Sequence, residues 1–103
     1  MGYRIAITPH AAQDLDGIIQ YLIRELNSIT AASGLLDAID VCYEELESMP
    51  LMYEQCRDLR LKQLGYRRAV IKNYVMVYKV EEQTKTVYIL RFFYGAREYE
   101  KLI

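Results

Sequence analysis

The segment between residues 57 and 79 could bind an anion, because it holds seven basic residues and a single acid, Asp58. The basic residues are Arg57, Arg60, Lys62, Arg67, Arg68, Lys72 and Lys79. The whole chain has a net charge of −1, but residues 1–54 sum to −7 and residues 55–103 to +6. This asymmetry predicts that the C-terminal half meets an anionic partner. The alternative is that each set of charges only keeps its own elements soluble.

Other kinds of chemistry have less support in the sequence. His10 is the only histidine, which excludes acid–base catalysis by a histidine pair, and we expect it on the surface. Cys42 and Cys56 show neither CxxC nor Cys/His spacing, so they predict reduced thiols and neither a disulfide nor a zinc site. We therefore predict no metal and no cofactor. The sequence has no apolar run of roughly 20 residues and no signal-peptide pattern, which predicts a cytoplasmic protein without membrane contact.

Two amphipathic helices follow a short N-terminal strand. Residues 3–7 alternate in polarity like a strand, and Thr8-Pro9 then suits the start of a helix. A second helix is predicted from Ser28 or Thr30 to Met49, because Pro50 disfavours helical backbone before it. Helices joined by so few residues form an antiparallel hairpin. Six side chains of their apolar stripes are predicted to be buried: Leu15, Ile19, Leu22, Ile39, Cys42 and Leu46.

The C-terminal half is rich in strand-forming residues after an irregular segment at 51–65. Strands are predicted over residues 66–71, 74–80 and 86–94, with a tight turn in which Asn73 adopts positive φ. The element order is β-α-α-β-β-β. We therefore predict one α+β domain over residues 1–103, an antiparallel sheet with a helical hairpin packed on one face.

Three parts of the sequence resemble the RelE/ParE superfamily of toxins from type II toxin–antitoxin systems. The start, from Ile7-Thr8-Pro9 to Asp14-Leu15, resembles the opening of ParE-type toxins. Residues 67–78 resemble the paired strands of the superfamily, and residues 89–102 resemble its closing strand and Gly-x-Arg-x-Tyr tail. Together the three parts cover nearly the whole chain in order, and they place it closest to the ParE-like branch.

The resemblance implies partners and two alternative targets. Members pair with a small antitoxin, so the resemblance implies an antitoxin as partner. It leaves open whether the chain forms a homodimer or a hetero-oligomer with that antitoxin. ParE-type members poison DNA gyrase, whereas RelE-type members are endoribonucleases that cut messenger RNA in the ribosomal A site without a metal. A third alternative is a degenerate toxin that only binds its antitoxin.

The residues at the positions of the RelE pattern favour one of these targets. Such an enzyme needs a base, an acid and cations that stabilise the phosphorane. By the resemblance, Arg97 takes the position of the tail arginine and Arg67 lies near one strand lysine. Ala69 and Val75 replace the second strand lysine and the central strand arginine. Two cations are thus missing, which favours a non-enzymatic, ParE-like inhibitor of gyrase.

Further residues are candidates for contact with the target or with another anionic surface. Arg68 points to the opposite side of its strand from Arg67, so at most one of them addresses a shared site. Arg57, Arg60 and Lys62 either form the rim of an anionic site or are simply solvated. Tyr94 and Tyr99 either stack on bases or are buried in a core or interface.

Overall fold

The computed structural model describes residues 2–95, 99, 102 and 103. Four strands form one sheet in the order β1-β4-β3-β2, with two long helices on one face and a short third helix on the other. The elements are β1 (Arg4–Ile7), α1 (Pro9–Arg24), α2 (Ile29–Ser48), α3 (Leu59–Gln63), β2 (Tyr66–Ile71), β3 (Tyr74–Glu81) and β4 (Thr86–Tyr94). The predicted α+β architecture is confirmed.

Side chains at the helix starts satisfy backbone groups that would otherwise lack partners. The Thr8 hydroxyl accepts from the Ala11 amide at 3.2 Å, and Pro9 occupies the first turn of α1. The Ser28 hydroxyl accepts from the Ala31 amide at 3.1 Å and fixes the start of α2. None of the helices in the described part of the chain has the length and apolar character needed to cross a membrane.

The sheet is antiparallel from β2 to β4, but β1 pairs in parallel with β4. This pair departs from the predicted wholly antiparallel sheet. The reason is that α2 returns the chain to the end where β1 began, since the Tyr3 amide donates to the Glu47 carbonyl at 2.7 Å. The strands β2, β3 and β4 then alternate in direction, so β4 runs the same way as β1. The tight turn at residues 72–73 has its positive φ, 56°, at Lys72 and not at Asn73 as predicted.

Two apolar layers cover the two faces of the sheet. On the helical face, Leu22, Ile39, Cys42 and Leu46 are buried as predicted. Leu15 and Ile19 are only partly buried and pack against this core. On the second face, a smaller layer contains Cys56, Leu61, Val75, Val77, Phe93 and Tyr99. Leu61 belongs to α3, which forms within the segment predicted to be irregular and is capped by Asp58.

A polar junction fastens α1 to the edge of β4. The strand β1 ends opposite Ile89, so the following part of this edge lacks a strand partner. The Asp14 carboxylate accepts from the Phe92 amide at 3.1 Å and from the Arg91 guanidinium at 2.6 Å. The Asp14 side chain is 16% exposed and that of Arg91 20%. Charge-assisted hydrogen bonds of this kind are among the stronger ones in proteins, so this junction sets the position of α1.

Candidate functional site

A cavity of about 470 Å³ opens on the second face of the sheet, where β2 turns into β3 and β4 ends. Its volume lies within the range of roughly 300–1,000 Å³ that is usual for small-ligand sites. Its lining comes from the segment before α3, from β2, β3 and β4, and from the tail. The described lining residues are Arg57, Arg68, Val70, Lys72, Asn73, Tyr74, Val75, Tyr94, Gly95 and Tyr99. Gly95 has φ +68°, and its amide donates to the Asn73 carbonyl at 2.6 Å, which ties the end of β4 to the β2–β3 turn.

The described lining residues make the cavity cationic. They include two arginines and a lysine, and among them there is neither a carboxylate nor a histidine. One end of the Arg68 guanidinium donates to the Glu54 carboxylate, while its Nε is buried and has no hydrogen-bond partner in the described structure. The cavity is therefore suited to an anionic ligand.

Arg67 lies outside this cavity. Because side chains alternate along a strand, Arg68 and Val70 face the cavity while Arg67 and Ala69 face the helical side. Nη1 of Arg67 donates to the carbonyl of Tyr53 at 2.7 Å and to that of Leu51 at 3.4 Å. The guanidinium of Arg67 thus fastens the segment before α3, and its contact with phosphate stays a prediction. Ala69 is 1% exposed beneath the helices, so a cation at this position would not reach the cavity either.

The other predicted site residues have different surroundings. Arg57 lines the cavity, whereas Arg60 and Lys62 of α3 do not. Nη2 of Arg60 donates to the Ile103 carbonyl at 3.3 Å. Arg97 lies outside the described residues. His10 is exposed at the start of α1, as expected.

Both predicted tyrosines line the cavity, with very different exposure. Tyr94 is 59% exposed, and its ring packs against the edge of Tyr74 with a centroid distance of 5.4 Å. Tyr99 is 7% exposed and stacks on Phe93, with ring centroids 6.0 Å apart. Tyr94 is the register partner of Tyr74, so its side chain lies on the helical side of the sheet, whereas Tyr99 packs on the second face.

Sequence reasoning named Lys72 only as one of the seven basic residues of segment 57–79, and it did not single out Tyr74 as a site residue. The spacing of Lys72 was informative, because Arg68, Val70 and Lys72 follow one another at intervals of two and so share one side of the hairpin. Tyr74 gave no such signal, since it also contributes to the core of the helical face.

Three buried titratable side chains have raised pKa values and are protonated at neutral pH. Burial raises the pKa of Tyr74, and burial raises the pKa of Tyr78 to about 12. Burial also raises the pKa of Cys42, which keeps that thiol protonated. Among the described residues, no three His, Cys, Asp or Glu side chains are close enough together to hold a metal ion.

A second, more apolar groove lies between α1, α2 and β1. Its volume is about 300 Å³, and its lining is Ile7, Ala12, Leu15, Asp16, Ile19 and Leu36. Ile7 is 48% exposed and Leu36 is 39% exposed. The neighbouring strand β1 is an edge of the sheet, so one side of its backbone is not paired with another strand. Exposed apolar side chains beside an unpaired strand edge favour contact with another polypeptide.

Comparisons with known proteins agree with this architecture. Residues 5–99 match the family model described as the ParE toxin of the type II toxin–antitoxin system parDE. A comparison with curated protein sequences gives no match.

Solved toxin structures have the same fold. The toxin–antitoxin complex RelBE2 from Mycobacterium tuberculosis is matched at 19% identity and TM-score 0.66, over 94% of this chain and 95% of that one. The chromosomal ParDE system from P. aeruginosa is matched at 19% identity and TM-score 0.70, over 90% and 96%. The isolated E. coli RelE toxin is matched at 14% identity and TM-score 0.60, over 97% and 94%.

Proposed function

The chain belongs to the family of ParE toxins of type II toxin–antitoxin systems, and from that membership we propose that it arrests growth by inhibiting DNA gyrase. A cognate antitoxin holds it inactive. The toxin acts without catalysis of its own, by binding to a complex of gyrase and DNA. This target separates it from relatives that cut messenger RNA.

The lining of the cavity is the observation that carries the proposal. Val75 is 5% exposed and lines the wall where the RelE-like pattern would have an arginine. The described lining also lacks a carboxylate or histidine that could accept a proton. One well-placed donor to a developing oxyanion contributes roughly 3–4 kcal/mol to transition-state stabilisation. We expect the loss of the arginine at this one position to weaken RNA cleavage, whereas inhibition of gyrase needs only a binding surface.

The groove beside β1 is the docking surface that we propose for the antitoxin. The complexes RelBE2 and ParDE, whose toxins share this fold, are toxin–antitoxin pairs. An amphipathic segment could place apolar side chains against Leu15, Ile19 and Leu36, and an extended segment could pair with the open edge of β1. Both modes leave the cationic cavity on the other face of the sheet uncovered.

A ribosome-dependent endoribonuclease is the second candidate, favoured by one observation. Arg57, Arg68 and Lys72 line the same cavity, and together they could hold a phosphate that undergoes cleavage. The fold is also that of the isolated E. coli RelE toxin. In this alternative the cations replace the missing strand arginine, and the family resemblance makes Arg97 a further candidate for phosphate contact.

Two measurements on the same protein separate the candidates. Purified chain is added to gyrase with relaxed plasmid and ATP, and the same chain is induced in cells whose transcripts are mapped by primer extension. We expect loss of supercoiling or accumulation of cleaved plasmid, with transcripts left intact. Chain pre-mixed with its antitoxin is the control. Codon-phased cuts within minutes of induction would establish the ribonuclease instead. Inactivity in both assays, with the antitoxin still bound, would identify a degenerate toxin.

A further inference from the structure

The guanidinium of Arg91 contacts three separate parts of the protein. Its Nε donates to the Asp14 carboxylate of α1 at 2.6 Å, and its Nη2 donates to the same carboxylate at 3.3 Å. Its Nη1 donates to the Leu102 carbonyl at 3.5 Å, and its central carbon lies 4.8 Å from the centre of the Phe93 ring. The Arg91 side chain is only 20% exposed. One arginine therefore joins α1, β4 and the tail, whose described residues are 99, 102 and 103.

A β-bulge beside Arg91 explains how this side chain reaches all three partners. The register of β3 and β4 shifts between Val77 and Tyr78, so Leu90 is an extra residue on β4. Arg91 then pairs with Val77 on the second face of the sheet. The strand β1 ends opposite Ile89, which leaves the edge of β4 beside Arg91 without a neighbouring strand. The guanidinium can therefore contact α1 at this edge and the aromatic layer of the second face at the same time.

The described residues of the tail pack on the same part of the second face. The Tyr99 ring stacks on Phe93, with centroids 6.0 Å apart and an interplanar angle of 30°. Tyr99 is 7% exposed and lines the cationic cavity, and Ile103 packs against the same apolar layer. Arg91 covers Phe93 and binds the Leu102 carbonyl. The tail wall of the cavity therefore depends on contacts that Arg91 makes outside it.

We propose that Arg91, held by Asp14, is a positioning residue that keeps the tail docked on the second face, and that inhibition of gyrase requires the docked tail. Arg91 is not among the described residues that line the cavity, so it acts through Phe93, Tyr99 and Leu102. The inference rests on the proposed function for the activity that the tail serves, whereas the docking of the tail is a property of the fold.

The shape of the guanidinium separates this role from that of a simple ion pair. Two of its nitrogens face the carboxylate, the third binds the carbonyl, and the plane covers the ring. A lysine would keep a positive charge beside Asp14 but has neither the fork nor the plane. The Asp14 carboxylate also accepts from the Phe92 amide at 3.1 Å, so the contact of α1 with β4 does not depend on Arg91 alone. Arg91→Lys should therefore loosen the tail and leave the rest of the fold in place.

The test measures tail docking and gyrase inhibition on the same purified full-length variants. Trypsin cuts after Arg97 only when an extended segment that includes Tyr99 is released from the fold. The rate of this cut in the native chain, relative to that in a free peptide of residues 92–103, gives the docked fraction. Arg91→Lys should raise the rate by about tenfold, because one hydrogen bond and one cation–π contact are lost. Arg91→Ala should raise it further, and inhibition of supercoiling should weaken in proportion to the lost docked fraction.

Matched controls separate the contact from a change in net charge. Asp14→Asn and Asp37→Asn each remove one negative charge from a long helix, but Asp37 is exposed on α2. Asp14→Asn should speed the cut, because an amide binds the guanidinium more weakly than a carboxylate does. Asp37→Asn should not. Arg24→Ala is the control for Arg91→Ala, since Arg24 is exposed at the end of α1. Urea unfolding of Arg91→Lys should match that of the parent chain.

Several results would overturn the proposal. These are an unchanged cut in Arg91→Lys, equal effects of the two asparagine variants, or a loss of unfolding free energy in Arg91→Lys large enough to explain faster cleavage by global unfolding. A loosened tail with full inhibition of gyrase would refute the requirement for a docked tail and leave the proposed function intact. A tail that loosens as expected in a chain whose parent does not inhibit gyrase would refute the proposed function and leave the positioning role of Arg91.

Discussion

Two buried tyrosine hydroxyls differ in whether they form a hydrogen bond. The Tyr78 hydroxyl donates to the Pro50 carbonyl at 3.0 Å, inside the core between the sheet and the helices. The Tyr43 hydroxyl is buried as well, but it has no hydrogen-bond partner in the described structure. Removing a paired hydroxyl and removing an unpaired one have different costs, because only the first leaves a buried acceptor behind.

Replacement of tyrosine by phenylalanine should therefore affect the free energy of unfolding differently at the two positions. Tyr78→Phe should lower the free energy of unfolding by about 1 kcal/mol, since the Pro50 carbonyl loses its donor. Tyr43→Phe should leave the free energy of unfolding unchanged or raise it, because the lost hydroxyl was buried without a bond. Urea denaturation of both variants beside the parent chain measures this. A larger loss for Tyr43→Phe than for Tyr78→Phe would show that the Tyr43 hydroxyl has a partner after all.

At this scale the sequence predicted candidate residues, but not which of them lie together. Arg57, Arg68, Tyr94 and Tyr99 were candidates, and all four line the cavity. Arg67 was preferred over Arg68 because of its match to the family pattern. The match to the family pattern depends on the length of a short loop. The face of the sheet on which a side chain lies is set instead by the pairing register of its strand. The register depends on the β3 partner and was not readable from the β2 segment alone.

Among the elements, α1 makes three different kinds of contact. Leu22 and Ala11 bury one side of it in the core, Leu15 and Ile19 line the groove beside β1, and Asp14 binds the edge of β4. One helix therefore contributes to the core, to the proposed antitoxin surface and to the polar junction. A change in its packing should affect stability first, and its other roles only through loss of position.

The buried stripe of α1 gives a prediction with an internal control. Leu22 is 6% exposed, whereas Leu26, just beyond the end of the helix, is 55% exposed. Leu22→Ala should lower the free energy of unfolding by about 2–5 kcal/mol, as for other core leucines. Leu26→Ala should change it by less than about 0.5 kcal/mol. Both are measured by thermal or urea unfolding. Similar values for the two variants would mean that Leu22 is not a core residue.

Local sequence patterns defined most of the elements, because each depends on its own residues. The strands at 66–71 and 86–94 were predicted with the bounds that the structure has, and Ser28 and Pro50 marked the ends of α2. The parallel pairing of β1 was missed because it is a property of the path of the chain through the helical hairpin. The helix α3 was missed because its five residues, 59–63, are too few for an amphipathic pattern, and the cap at Asp58 was its only signal.

At the scale of the molecule, the described residues form two concave surfaces that we propose as recognition sites, and these differ in chemistry. The groove beside β1 is apolar and adjoins the helical hairpin, whereas the cavity beside β2 and β3 is cationic and aromatic. Among the described residues, none lines both surfaces. Neutralisation by the antitoxin and action on the target should therefore be separable by mutation.

The final prediction tests that separation with substitutions on each surface. Leu36→Asp places a charge in the groove, and because a buried apolar anchor contributes at least about 2 kcal/mol, capture of the antitoxin should weaken by roughly 30-fold or more. The Leu36→Asp variant should still inhibit gyrase, so the antitoxin should no longer neutralise it in cells. Val41→Asp is the control, since Val41 lies on the same helix, is 55% exposed and does not line the groove. Tyr94→Ala should behave in the reverse way, with normal capture and weak inhibition. Antitoxin affinity is measured by calorimetry and inhibition by supercoiling assays. If Leu36→Asp and Tyr94→Ala each weakened both activities to a similar extent, a single shared surface would have to serve the antitoxin and the target.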